Sequence, residues 1–209
     1  MVEKLKAAFL GIFADASWPI TIVKQGAFLL IPFVGYVALL GWQRRAFEAA
    51  REGDHKLPPA GFGVYLSAGW TPFFAIVLMY LIPVALFSLL IGVPAQILHI
   101  RIGAWLPMEI FQVPLSLAII CAYVEVARRA FVSGEVASIL KPAPSVRAIK
   151  AAPQTYLIIA AAMIGAYIAA TAGLSACLIG VLFTAPLGHA IAANLLAVWQ
   201  NELAQRNVQ

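Results

Sequence analysis

Charged residues and cysteines are scarce in this sequence, and that scarcity limits what the protein can be. Of the 209 residues only 11% are Asp, Glu, Lys or Arg, whereas a soluble domain has about 25%. So few charges cannot cover the surface that a soluble chain of this size exposes. Cys121 and Cys177 each stand in an apolar run without a Cys or His at ligand spacing, so we expect small core residues rather than a disulfide or metal site.

The polar combinations that catalysis requires are also missing. The three histidines are isolated, and no His-x-x-x-His, Cys-x-x-Cys, Gly-x-Ser-x-Gly or phosphate-loop pattern occurs. A catalytic site needs a nucleophile with a base, paired carboxylates or a metal cluster. We therefore predict no enzymatic activity, no metal and no cofactor.

Long apolar segments are present instead. Hydrophobic residues make up 63% of the chain, and the mean hydropathy is +0.92. Five segments approach the ~20 residues that cross a bilayer as a helix. They lie near residues 22–42, 71–93, 105–126, 156–172 and 174–199. The sequence predicts an all-α, polytopic bundle of transmembrane helices that forms one integral membrane domain over residues 1–209.

The two N-terminal segments are less regular. Phe9, Ile12 and Phe13 recur at helical spacing, which favours an interfacial amphipathic helix over residues 1–17, although this segment also resembles a short signal peptide. Pro32 and Gly35 interrupt the first apolar segment. Since proline bends helices, that segment is either a tilted span or a re-entrant hairpin.

Basic residues collect between the spans. They are Arg44, Arg45, Arg51 and Lys56 in one loop, and Arg128, Arg129, Lys141, Arg147 and Lys150 in another. Cytoplasmic loops retain Lys and Arg, so we expect both loops and the C-terminus on the cytoplasmic side of the membrane. The membrane is expected to be the cytoplasmic membrane of a bacterium or archaeon. Five crossings would leave the N-terminus outside, whereas a re-entrant first segment would return it to the cytoplasm.

One basic motif occurs twice. Arg44-Arg45-Ala46-Phe47 returns as Arg128-Arg129-Ala130-Phe131, each time at the end of an apolar span, so a parallel internal duplication is plausible. The arginines flank apolar spans, so we expect contacts with anionic lipid headgroups or a partner protein, and none with nucleic acid. Alternatively, these charges act only as the topology signal.

Polar residues at membrane depth are the candidates for a functional site. His189, Asn194, Glu109 and Gln112 form the candidate intramembrane site, because burying such groups costs free energy unless they are paired or face water. The alternatives are interhelical hydrogen bonds for the first two and interfacial positions for the last two. Glu125 is expected to form an interfacial ion pair with the arginines three and four residues later, and the alternative is a proton carrier.

Small residues recur every four positions in the fourth span. Gly165, Ala169 and Gly173 form a candidate helix-packing face, and Ala162, Ala166 and Ala170 form a parallel row. Small side chains let helix backbones approach closely in a membrane. We expect this span to pack within the bundle or against another protein.

A family resemblance rests on the first third of the chain. The segments that carry it are Gly26 to Gly35, Gly41-Trp42-Gln43-Arg44, Gly53-Asp54 and Leu57-Pro58. They resemble the membrane family called domain of unknown function 4013, which looks akin to the membrane domain of some glycerophosphodiester phosphodiesterases. The chain departs from the family pattern at Pro59-Ala60-Gly61-Phe62, where an acidic and an aromatic residue are expected. The resemblance implies a helical membrane fold and no particular reaction.

Two functions remain open. The first is a non-catalytic accessory or scaffold module that packs against another membrane protein, associates with itself or organises lipid. The second is a small transporter or channel with a polar site near His189. A transporter should line a wet cavity with its polar groups, whereas a scaffold should bury them in pairs.

Overall fold

The computed structural model describes residues 1–87, 89, 122–173 and 177–208, and every regular element in those residues is helical. The α-helices are α1 Val2–Leu10, α2 Trp18–Ala27, α3 Val34–Arg51, α4 Gly63–Phe87, α5 at residues 122–133, α6 Val136–Ile139, α7 Pro142–Ala151, α8 Pro153–Ala172 and α9 Cys177–Gln205. Short 3-10 turns follow α1 and α2. The predicted all-α fold is confirmed.

Helices α8 and α9 pack as an antiparallel pair. The Tyr156 ring lies 5.7 Å from that of Trp199, and the Thr184 hydroxyl donates to the Ala170 carbonyl at 2.7 Å. Both helices are long and apolar enough to cross a membrane, over the stretches Pro153–Thr171 and Gly180–Gln205. They correspond to the fourth and fifth predicted spans.

Helices α3 and α4 cross at two glycines. A Cβ atom on Gly41 would overlap the Tyr65 carbonyl, and one on Gly69 would overlap the Val37 carbonyl. The backbones can approach this closely only because neither glycine carries a side chain. Helix α4 contains the start of the second predicted span, and the end of that span lies outside the described residues.

The first predicted span, residues 22–42, is wrong as one continuous helix. A 3-10 turn follows α2, and α3 begins only at Val34. Pro32 lies in this break, and Phe33 beside it has a φ of 60°, so the helical hydrogen bonding cannot continue. Residues 2–13 and 18–30 together pass the length and apolarity test for a span, but they are bent by 77°.

Helix α1 packs against α9 instead of lying only at a membrane surface. Ala8 and Ile12 are fully buried, and Lys4 Nζ lies 3.6 Å from Glu202 Oε2. Phe9, expected on the same apolar face, is 46% exposed. The sequence could not reveal this packing, because the partner surface comes from the other end of the chain.

The described residues therefore contain two helices able to span a membrane, or three if the bent N-terminal pair counts as one. The predicted five is not reached among them. Most of the third predicted span, residues 105–126, lies outside the described ranges, and only its last five positions fall in α5.

Both arginine-rich loops lie at the same end of the bundle. The Arg44 guanidinium lies beside Gly134, where an added Cβ atom would be 3.3 Å from Nη2, and Asn201 Nδ2 donates to the Arg51 carbonyl at 3.2 Å. Arg206, near the C-terminus, reaches the carbonyl that ends α7. The first basic loop, the second basic loop and the end of α9 are thus held together by direct contacts.

Candidate functional site

His189 in α9 lies in a buried group of polar and aromatic side chains that we call the central polar cluster: Tyr36, Gln43, Tyr123, Tyr167 and His189. His189 is 5% exposed, and its Nδ1–H donates to Gln43 Oε1 at 2.8 Å. The rings of Tyr36 and Tyr167 meet the imidazole edge to face, with centroids 5.8 and 5.7 Å away. Helices α3, α5, α8 and α9 all contribute to the cluster.

The hydrogen bonding of the central polar cluster is incomplete. Gln43 is fully buried, and its Nε2 has no hydrogen-bond partner. Tyr167 interacts with Gln43 and Tyr123, and its ring packs edge to face on that of Tyr123 at 5.4 Å. A buried donor without a partner costs roughly 1–3 kcal/mol. Gln43 Nε2 and the Tyr167 hydroxyl are thus two donors of the cluster that a water molecule or a small polar ligand could satisfy.

Asn194 is not part of that cluster. Its Oδ1 accepts a hydrogen bond from His55 Nδ1 at 2.8 Å, and its Nδ2 donates to the Ala190 carbonyl at 3.2 Å. His55 belongs to the loop between α3 and α4, so this pair attaches the loop to α9. The structure thus separates Asn194 from His189, and the other two candidates, Glu109 and Gln112, lie outside the described residues.

A second buried polar group surrounds Glu125, which is 2% exposed. Its two oxygens accept from Arg128 Nε at 3.0 Å and from Arg128 Nη2 at 2.9 Å, and Trp199 Nε1 also donates to it. Arg128 Nη1 donates to Gln200 Oε1 at 2.7 Å. The predicted ion pair therefore forms with Arg128 and is buried, not interfacial.

Arg129 also faces the protein. Its Nη1 donates to the Lys141 carbonyl and, at 3.2 Å, to Ser145 Oγ. Burial lowers the pKa of this guanidinium, Arg128 lowers it further and Glu125 opposes both, yet arginine remains charged at neutral pH. The expectation of lipid-headgroup contacts is therefore corrected for Arg128 and Arg129, whose charges hold α5 to α9 and to the segment before α7.

Arg44 and Arg45 have a different environment. Together with Glu48 on α3 and Val64 and Tyr65 on α4 they line an open groove of about 500 Å³. Arg44 Nε lies 3.2 Å and Arg45 Nη1 3.3 Å from the Glu48 carboxylate. The side chain of Arg45 is 64% exposed. We call this surface the arginine groove.

The predicted packing face on α8 is divided. Gly165 and Ala169 are exposed, and a Cβ atom on Gly165 would meet nothing within 4 Å. The contacts with α9 use the parallel row instead, because Gly188 packs on the Ala166 carbonyl and the Ala170 methyl group. The remaining member of the predicted face, Gly173, packs on the start of α9. Gly165 and Ala169 therefore lie on the outer surface of the described part of the bundle.

Sequence reasoning missed the partners of the polar residues. Gln43 and His55 stand beside basic residues in the sequence, and nothing in their local pattern indicates hydrogen bonds to α9. Gln25, also fully buried, accepts a hydrogen bond from the Gly61 amide at 3.2 Å. The available signal was a lone polar residue next to a helix-breaking or glycine-rich segment, which is too weak to identify its partner.

Over residues 25–181 the chain matches the family described as "Protein of unknown function (DUF4013)". Neither the curated proteins nor the solved structures contain a match. Four helices contribute to the central polar cluster. The matched region includes all described residues of three of them, α3, α5 and α8, and the start of the fourth, α9.

Proposed function

This chain belongs to the DUF4013 family, and from that membership and its apolar helices we propose that it is an integral membrane protein without catalytic chemistry. Its role is that of an accessory or scaffold module, which packs against another membrane protein and contacts anionic lipid. Both basic loops and the C-terminus face the cytoplasm in this proposal, because they lie at one end of the bundle and carry most of the Lys and Arg residues.

The observation that carries the proposal is the pairing of the buried polar residues. His189 bonds to Gln43, Asn194 to His55, and Glu125 to its arginine. The first two pairs join different segments of the chain, and the third neutralises a buried charge within the core. Polar side chains paired in this way hold helices together in a membrane, whereas a transport pathway needs polar groups that water or substrate can reach.

The exposed small residues on α8 support a protein partner. Gly165 and Ala169 lie on the outer surface of a helix able to span a membrane. In hydrocarbon, such a surface allows a second helix to approach closely and gain dispersion contacts. A face of bulky side chains would not permit that approach.

A small transporter or channel is the second candidate. The unpartnered Gln43 Nε2 in the central polar cluster and the 77° bend between the N-terminal helices favour it. Bent or broken helices near the bilayer midplane form binding sites in many transporters.

Isolation of the tagged protein from its native membrane in mild detergent tests the proposal. We expect a membrane protein to co-purify in a fixed ratio, and Gly165→Leu to reduce its recovery without lowering the thermal stability of the tagged chain. Ala85→Leu, at another exposed small residue in a described helix, is the matched control and should leave recovery unchanged. A chain that purifies alone and supports solute uptake only when His189 is intact would replace the scaffold proposal with the transporter.

A further inference from the structure

The arginine groove differs from the corresponding site in the second copy of the repeated motif. Arg128 makes two hydrogen bonds to Glu125 and one to Gln200, and its side chain is 7% exposed. In the first copy, Glu48 is shared between Arg44 and Arg45. Two guanidinium groups with one carboxylate leave one positive charge uncompensated within the groove.

The residues around the groove determine where this positive charge is presented. The Arg44 guanidinium lies beside Gly134, where an added Cβ atom would come within 3.3 Å of its Nη2. The Tyr65 hydroxyl donates to the Pro59 carbonyl at 2.9 Å, which fixes the floor of the groove. Guanidinium groups present several N–H donors that match phosphate oxygens. A phosphate at the mouth of the groove would meet donors from both arginines.

The exposed face of α4 is apolar, and it begins at Val64, which lines the groove and is 79% exposed. Trp70 and Phe74 lie further along and around the helix, 42% and 47% exposed and stacked on each other at 5.7 Å. A ligand with a phosphate and hydrocarbon chains would place its charged group in the groove and its chains past Val64 on the apolar face of α4. A free phosphate would use only the charged part.

The geometry points to a site for one anionic phospholipid, whose phosphate binds Arg44 and Arg45 and whose acyl chains lie along α4. Glu48 competes with the phosphate for the same two guanidinium groups. The second copy of the motif has no such site in the described residues, because Arg128 and Arg129 are bound to the protein. This inference rests on the proposed membrane location, but it does not require a protein partner.

Binding of phosphatidylglycerol and phosphatidylcholine with identical acyl chains can be compared by native mass spectrometry in a nonionic detergent, which removes the field of the bilayer. The full-length protein should retain phosphatidylglycerol in preference. Arg45→Gln should weaken its binding roughly fivefold, the upper end of what one exposed ion pair contributes. Arg51→Gln, at an exposed arginine outside the groove lining, should leave binding unchanged.

Glu48→Gln gives a gain of function that misfolding cannot imitate. Removing the competing carboxylate should strengthen phosphatidylglycerol binding several-fold, whereas Glu52→Gln, with the same charge change one turn later, should not. The inference is overturned if Glu48→Gln and Glu52→Gln change phosphatidylglycerol binding equally, or if phosphatidylcholine binds as well as phosphatidylglycerol. It is also overturned if inorganic phosphate stabilises the protein as much as the lipid does. Loss of the co-purifying protein with phosphatidylglycerol binding intact would instead remove only the scaffold proposal.

Discussion

The ring of Phe47 packs on the ring of Phe131, with centroids 5.5 Å apart. These two residues occupy the same position in the two Arg-Arg-Ala-Phe segments, and both are buried. The preceding alanines, Ala46 and Ala130, are buried as well. The apolar halves of the repeated motif thus meet in the core, while the arginine halves have different partners.

This contact predicts energetic coupling between the two copies. Phe47→Leu and Phe131→Leu should each lower the stability in detergent, and the double variant should lose less than the sum. Tilted aromatic pairs contribute about 0.5–1.5 kcal/mol beyond their buried area, so a double-mutant cycle by thermal or denaturant unfolding should measure a coupling of that size. Phe47→Leu combined with Phe74→Leu, at an exposed ring, should be additive. Additive behaviour in the first pair would mean that the copies do not stabilise each other.

Glycines in the helices should differ sharply in their tolerance of a methyl group. Gly41→Ala would place its Cβ on the Tyr65 carbonyl, so α3 and α4 must separate. Repacking of a close helix contact typically costs about 1–3 kcal/mol. Gly165→Ala meets nothing, and should gain about 0.5–1 kcal/mol from the higher helix propensity of alanine. Unfolding temperatures of both variants in one detergent give the comparison, and equal destabilisation would contradict the crossing.

The sequence predicts those features that depend on composition and short-range spacing. Hydropathy predicts α8 and α9, and helical spacing predicts an arginine partner for Glu125, three or four residues later, of which Arg128 forms the pair. Such features are local, since an apolar run or an i,i+3 pair depends only on residues that are close together in the sequence.

Predictions failed where the partner is distant in the chain. The break at Pro32 is visible in the sequence, whereas the burial of Ala8 depends on residues of α9. The spacing of Gly165 could not show whether that residue or Ala166 faces α9, because both rows have the same period. Nor could the sequence distinguish Arg44 and Arg45 from Arg128 and Arg129. The two pairs differ only in the carboxylate that each contacts after folding.

The buried ion pair makes a prediction that depends on removing one partner or both. Glu125→Leu leaves the Arg128 guanidinium buried with only Gln200 as a partner, and an uncompensated buried charge costs about 3–5 kcal/mol. Glu125→Leu combined with Arg128→Met removes both charges and should restore most of the lost stability. Glu202→Leu, which breaks the more exposed pairs with Arg206 and Lys4, should cost at most about 1 kcal/mol for each pair. A double variant as unstable as the single one would indicate that the Trp199 and Gln200 contacts dominate.

The bond between His189 and Gln43 separates the two functional candidates. If it only holds α3 to α9, Gln43→Leu should leave the imidazole without its acceptor and cost about 1–3 kcal/mol. Replacing both residues by leucine removes donor and acceptor together, so stability should largely return and the co-purifying protein should still be recovered. In a transporter the same double variant would fold but lose uptake, because a substrate or proton could no longer meet a polar group at this depth. Unfolding and partner recovery measured on the same preparations give the answer, and a stable double variant that has lost its partner would show that the cluster is part of the interface.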